Sequence, residues 1–310
     1  MTRCATKSTA SNGFSNHPHS HPMQLLQRFI TAFAAAVASF TMLSASEPEA
    51  TEVIRPVNSS YMLEAGSSHL ADTYLSGLKY VGWDVAFQYE RTQAMKFAPD
   101  LWRQQLLIGI EGSGAVNPAH NSTLYYANLS ASWGMYRRWE LPHGLSAGVG
   151  GSAGGNIGVL YSNRNSNNPA SVKADITVNA GGFVAWRTRL WRMPVLLRWQ
   201  TSMPLTGVFF SPEYDELYYE IYLGNHSGLA HWGWPGNLFR WDNLVTADLD
   251  FSNTRLRLGF RSRIYSTQVN NLTTRIFSYA FVLGVTGDWM SLSPRSGLPD
   301  QKAARVVYAY

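Results

Sequence analysis

The chain has 310 residues, of which 15% are charged, against about 25% in ordinary soluble domains, and 13% are aromatic, with 11 Trp and 16 Tyr. Its mean hydropathy of −0.16 is too polar for a bundle of membrane helices, and a net charge of +5 without any basic run excludes a nucleic-acid surface. The single cysteine, Cys4, precedes every segment with a folding pattern, so disulfide and thiolate chemistry are excluded from the body of the chain.

Residues 1–22, rich in Ser, His and Asn, read as an N-terminal extension or a misassigned start, with Met23 as the true one. From Met23 the chain runs "MQLLQRFITAFAAAVASFTMLSASEPEA". Arg28 supplies a positive n-region, residues 29–43 an apolar stretch, and Leu43-Ser44-Ala45 a small-residue cleavage site before Glu47. The expectation is a signal peptide over 23–45, cleaved on export, then a periplasmic segment over 46–58.

Beyond it, no stretch is long and apolar enough for a spanning helix, which needs about 18 consecutive apolar residues. What recurs is period two, which places alternate side chains on opposite faces of a strand. In "VGWDVAFQYERT", Trp83, Val85, Phe87 and Tyr89 oppose Asp84, Ala86, Gln88 and Glu90. In "TLYYANLSASWGMY", Tyr125, Leu129, Trp133 and Met135 oppose Tyr126, Asn128, Ser130 and Ser132. The segment 145–159 sets Leu145, Val149 and Ile157 against an all-small face, and 172–187 sets Val172, Ile176 and Trp186 against Lys173, Asp175 and Arg187. Further on, Leu197, Trp199 and Met203 oppose Arg198 and Gln200. Val245 and Leu249 oppose Asp248 and Asp250, and Leu256, Leu258 and Phe260 oppose Arg255, Arg257, Arg261 and Arg263. A last strand carries Phe277, Phe281 and Val285 on one face.

With strands at 59–66 and 102–114 the segments predict an all-β fold, an antiparallel transmembrane β-barrel of about ten strands over 59–290, with eight or twelve as alternatives. An even count returns both ends of the barrel to the periplasm. Short turns are then expected on that side and longer loops outside, above all a loop over 210–242, and 291–310 is left as a C-terminal tail. Trp102, Trp133, Trp186, Trp199 and Trp289 are expected to form an aromatic girdle near the periplasmic ends.

The inward faces carry both signs of charge. Asp84, Glu90, Glu111, Asp175, Asp248 and Asp250 face Arg198, Arg255, Arg257, Arg261 and Arg263. Ten strands make a narrow barrel, and buried charges need partners, so these residues are expected to interlock as ion pairs filling the lumen. The alternative is an arginine ladder in a small anion-selective pore.

The stretch "LGNHSGLAHWGWPGN" falls in the long outer loop. Asn225, His226, Ser227 and His231 are the candidates for a lipid-modifying hydrolase, because a serine nucleophile needs a histidine base and that base an acceptor. His226 and Ser227 are adjacent, and adjacent side chains diverge in an extended chain. His226 and His231 would need Asp242 or Glu220 to complete a metal site, without any spacing motif, so no metal is assigned. The glycines, Pro235 and the pair Trp232 and Trp234 favour a compact loop of fixed shape.

Three stretches, "TYLSGLKYVGWDVAFQYERTQAMKF", "IYLGNHSGLAHWGWPGNLF" and "STQVNNLTTRIFSYAFVLGV", resemble an uncharacterised family of outer-membrane barrel proteins in Bacteroidetes, labelled only as a domain of unknown function. The likeness runs from about Asp72 to Pro294. It implies a Gram-negative outer-membrane barrel and carries no activity, cofactor or catalytic residue. The expected role is structural or in surface interaction, with outer-membrane lipids and, during biogenesis, the barrel-assembly machinery as partners, and no cofactor.

Overall fold

The computed structural model describes residues 53–166, 168–191, 193–213, 217–224, 228–251, 254–289 and 305–309. The signal peptide expected over 23–45, and the extension before it, lie outside the described residues. In chain order the strands are β1 (Val53–Ile54), β2 (Val57–Asp72), β3 (Ser76–Ala94), β4 (Trp102–Val116), β5 (Thr123–Leu141), β6 (Leu145–Ser162), β7 (Ala170–Leu190) and β8 (Met193–Phe210). A short helix α1 (Tyr218–Tyr222) and β9 (Ala230–Gly233) follow, then β10 (Leu238–Asp250), β11 (Arg255–Val269), β12 (Leu272–Trp289) and β13 (Arg305–Val306).

Strands β2 to β8 and β10 to β12 form one closed antiparallel ring of ten. Each pairs with its neighbour in sequence, β10 pairs with β8, and β12 closes on β2 from Thr274↔Asp72 to Trp289↔Val57. All ten expected strands are present. Most run longer than the sequence pattern marks, because side chains near the mouths continue the ladder after their alternation fades. β7, for example, spans 21 residues.

The pleat sorts the side chains. Along β3, Val81, Trp83, Val85 and Phe87 are exposed on the outside while Tyr80, Asp84, Ala86, Gln88 and Glu90 are buried within. The same alternation puts Leu63, Ile110, Leu129, Ile157, Phe281 and Leu283 on the outer wall. Polar and charged groups therefore occupy the inside of this fold and apolar groups the outside, the reverse of a soluble barrel.

The connections divide between two ends. At the terminal end, where β2 begins and β12 stops, they span 95–101, 142–144, 191–192 and 251–254. At the loop end they span 73–75, 117–122, 163–169, 211–237 and 270–271. Two loop-end connections are thus as tight as those opposite, which departs from the expected rule. At 270–271 the reason is local: Asn270 and Asn271 take φ of 51° and 59°, the left-handed pair that closes a two-residue hairpin. The loop expected over 210–242 is also shorter than its sequence suggests, because β9 and the first residues of β10 lie within that range.

The tail returns to the barrel. β13 pairs in parallel with β1, and the N–H of Val307 donates to the carbonyl of Ile54 at 2.9 Å. Arg138 donates to the carbonyl of Tyr308 at 2.6 Å, and Ala309 packs on the inward-facing Tyr136, Phe183 and Ala185. Residues 305–309 thus sit across the terminal mouth. Arg138→Ala removes a charged donor worth about 1.5–3 kcal/mol. The expected outcome is faster tryptic cleavage at Arg305 with unchanged barrel unfolding, read by timed digestion and by gel mobility of the unheated protein.

Candidate functional site

The candidate site is the barrel interior, which is built in layers. Nearest the terminal end, the Glu90 carboxylate of β3 reaches opposite walls. It accepts from Arg198 of β8 at 2.5 and 2.7 Å, from Arg257 of β11 at 2.6 Å and from Gln105 of β4 at 2.5 Å. Arg257 also grips Asp248 of β10 through two bonds of 2.7 Å. Gln105 and Gln200 exchange two bonds of 2.9 Å across the lumen. Arg103 lies over the Phe183 ring, 3.2 Å from its centroid. Paired, bidentate geometry of this kind is what makes a buried charge tolerable. Asp250 and Arg255 stand opposite each other at the mouth, and Arg255 pairs with Asp288.

The next layer centres on Glu64 of β2. Arg261 donates to it at 3.0 Å, Arg263 pairs with it, and Arg261 also binds Asp242 at 2.9 and 2.5 Å. Glu111 lies 3.8 Å from Arg263 and accepts from Ser278 at 3.2 Å, while Asp84 accepts from Ser113 at 2.6 Å. The arginines of β11 therefore turn toward acids on β2, β3, β4, β10 and β12, and not toward the all-small face of β6. A cavity of about 120 Å³ remains against that face, bounded by Ser130, Ser132, Ser152, Gly154 and Asn156.

Toward the loop end, Arg240 binds Asp175 at 3.1 and 2.6 Å, Asn156 donates to the same carboxylate at 3.2 Å, and Lys173 pairs with Asp72 at 2.9 Å. Above them Leu70, Leu75, Tyr80, Leu124, Tyr126, Leu160 and Ile276 form a buried apolar layer. Ion pairs therefore lie on the terminal side of the cavity and apolar side chains on its loop side.

Several members of this interior, Asp288 and Gln105 among them, escaped the sequence analysis. Glu64 and Asp72 lie on β2, for which no face had been drawn. Arg240 and Asp242 lie in the range taken as loop. Arg103 lies on β4, where the alternation of "WRQQLLIGI" is broken by Leu106 and Leu107. Among the expected girdle residues, Trp102, Trp186 and Trp289 stand toward the terminal end. Trp133, opposite Leu106, and Trp199, opposite Val184 and Val245, stand further up the wall than expected. The strand register sets that height, and the register depends on turn lengths.

In the loop, Asn225, His226 and Ser227 lie outside the described residues. His231, on β9, stacks near Phe209 with centroids 5.5 Å apart, and its Nε2 lies 3.0 Å from the carbonyl oxygen of Ser211. The Ser211 hydroxyl donates to the carbonyl of Pro212 at 3.3 Å. Glu220 accepts from the N–H of Leu217 at 3.2 Å, at the start of α1. Asp242 lies on β10 and is held by Arg261 inside the lumen, so it does not join the loop histidines. Among the described residues, no three or more His, Cys, Asp or Glu side chains converge on a metal position.

Among curated proteins none matches the chain. Solved structures similar to it include the translocator domain of the autotransporter NalP from Neisseria meningitidis, at 9% identity over 86% of this chain and 97% of that one, with a TM-score of 0.35. The transport unit of the autotransporter AIDA-I from Escherichia coli is 11% identical over 84% and 97%, with a TM-score of 0.38. An outer membrane channel from Pseudomonas putida F1 is 10% identical over 79% and 100%, with a TM-score of 0.33. The family model described as "Protein of unknown function (DUF3316)" matches residues 22–296, most of the chain, and the chain belongs to that family.

Proposed function

We propose that the protein is an outer-membrane barrel of a Gram-negative envelope with a sealed interior, acting as a structural or lipid-interacting element and not as a general pore. On this reading it is exported by a cleaved signal over 23–45 and inserted by the barrel-assembly machinery. The observation that carries the reading is the Glu90 cluster. Charges from β3, β8, β10 and β11 meet inside the barrel and pair with one another, which leaves no unbalanced ladder to draw ions and supports a sealed interior. The outward apolar wall supports the location.

Cell fractionation together with solute efflux from vesicles tests the proposal. Recovery with the outer membrane and vesicles that retain a small sugar support it; recovery in the soluble fraction, or rapid efflux, overturns it. The lipid-facing wall carries its own prediction. Phe281, 76% exposed and midway along β12, becomes an arginine at the bilayer midplane in Phe281→Arg. That change is expected to cost about 2–4 kcal/mol of folding in lipid, measured by denaturant titration in vesicles. An unchanged midpoint would place the residue in water.

A further inference from the structure

The backbone ladder of the barrel is interrupted between β8 and β10, beside the cavity. Val195–Ser202 of β8 pair with β10, and Gly207–Phe210 pair with β9. Between them, Met203, Pro204 and Thr206 pair on their other side with β7, while the facing Leu238–Trp241 of β10 pair with β11 alone. The sequence explains the gap. Pro204 has no N–H to donate, and the register shift opposite Val178/Asn179 inserts an extra residue into β8. On the other edge the turn at 234–237 carries the chain sideways. Asn237 holds that turn by accepting from the N–H of Trp234 at 2.8 Å and donating to the carbonyl of Trp232 at 2.9 Å. The result is a slit in the backbone ladder, four residues tall, about 13 Å, with side chains bridging its ends: Thr206 donates to the carbonyl of Gly233 at 3.1 Å and Trp241 to the Thr201 hydroxyl at 3.0 Å. Unpaired backbone is tolerated at membrane depth only where it faces protein or a polar cavity.

The slit has such a cavity behind it. Ser202 and Pro204 on one edge and Arg240 and Asp242 on the other line the 120 Å³ space, room for about four water molecules or one small polar head. Its charges are matched already, Arg240 with Asp175 and Arg261 with Asp242. Two further lining residues, Gln88 and Thr177, are buried and carry side-chain oxygens without a hydrogen-bond partner. Outside the slit, Leu205, Trp234 and Trp241 are exposed. A polar, charge-balanced chamber beside a break in the ladder with apolar lips fits an amphiphile.

We infer that the slit and the cavity form a lateral binding site for a single-chain amphiphile with a small uncharged hydroxyl-bearing head, of the monoacylglycerol class. The head hydrogen-bonds to Gln88 and Thr177, and the acyl chain leaves between β8 and β10 into the bilayer. This rests on the membrane reading above.

The test uses the full barrel in phosphatidylcholine vesicles with a monoacylglycerol carrying a photoreactive group beside its head, and maps the labelled residues by mass spectrometry. Labelling of Ser132, Ser152 or Ser202, competed by unlabelled monoacylglycerol, is expected. Met203→Cys/Trp241→Cys places two thiols across the slit just above the Ser202–Asp242 pair, and its oxidised form should show at least tenfold less interior label than its reduced form. Ser152→Leu fills the cavity floor without any oxidation step and should show the same loss while keeping folded mobility. Label confined to outward residues such as Leu205 and Phe281, or equal interior label in Ser152→Leu and the parent, overturns the inference. Failure of the parent barrel to float with the vesicles overturns the membrane reading instead.

Discussion

Glu90→Ala is expected to cost about 3–5 kcal/mol of barrel stability, the penalty for leaving buried charge uncompensated. Glu90 is fully buried and ties Arg198, Arg257 and Gln105 together. Without it Arg257 keeps Asp248, but Arg198 loses the carboxylate that takes both of its terminal nitrogens. The small side chain of alanine leaves both the charge imbalance and the space. Denaturant unfolding in vesicles, followed by tryptophan emission, measures the loss. Glu90→Ala/Arg198→Met should recover part of it, because an apolar side chain removes a buried cation that has lost a carboxylate and fills volume. If the single variant unfolds at the parent midpoint, water reaches Glu90 and the sealed interior is wrong.

Gly150→Val is expected to prevent assembly altogether. A Cβ at Gly150 would lie 2.0 Å from the carbonyl oxygen of Met135 and 2.6 Å from the Cα of Tyr136, both backbone atoms of β5. No side-chain rotation relieves a clash with a neighbouring strand's backbone. The β5–β6 ladder would have to separate, and the closed ring offers no free edge to absorb the shift. Gly112→Val is the control. It lies on β4, nothing stands within 4 Å of its Cβ, and valine suits a strand, so folding should be retained. Gel mobility with and without heating distinguishes folded from unfolded barrel for each variant. Folded Gly150→Val would show that the curvature at this position is not required.

How much of this was legible follows from the range of each signal. Alternation is local, so the ten strands and the inward direction of Glu90, Arg198, Arg257 and Arg261 could be read from short stretches. Which acid meets which arginine is not local. Glu64 and Arg261 are 197 residues apart and meet only because β12 closes on β2 in one particular register. Arg240 and Asp242 were hidden by a different signal. The glycines and Pro235 just before them mark a loop correctly, but nothing in the residues says that the strand resumes at Leu238. The slit escaped for the same reason, since it is a property of three strands, and Pro204 in β8 only hints at it. The histidine-rich stretch, the most eye-catching in the sequence, contributes His231 as a packed residue on β9.

Single-channel recording in a planar bilayer tests the central claim most directly. With the purified barrel inserted, the account predicts a silent membrane at neutral pH and moderate voltage, because the Glu90 cluster and the apolar layer above the cavity close the lumen on both sides. A steady, anion-selective current from the parent protein would contradict it and make the arginines of β11 the lining of a pore.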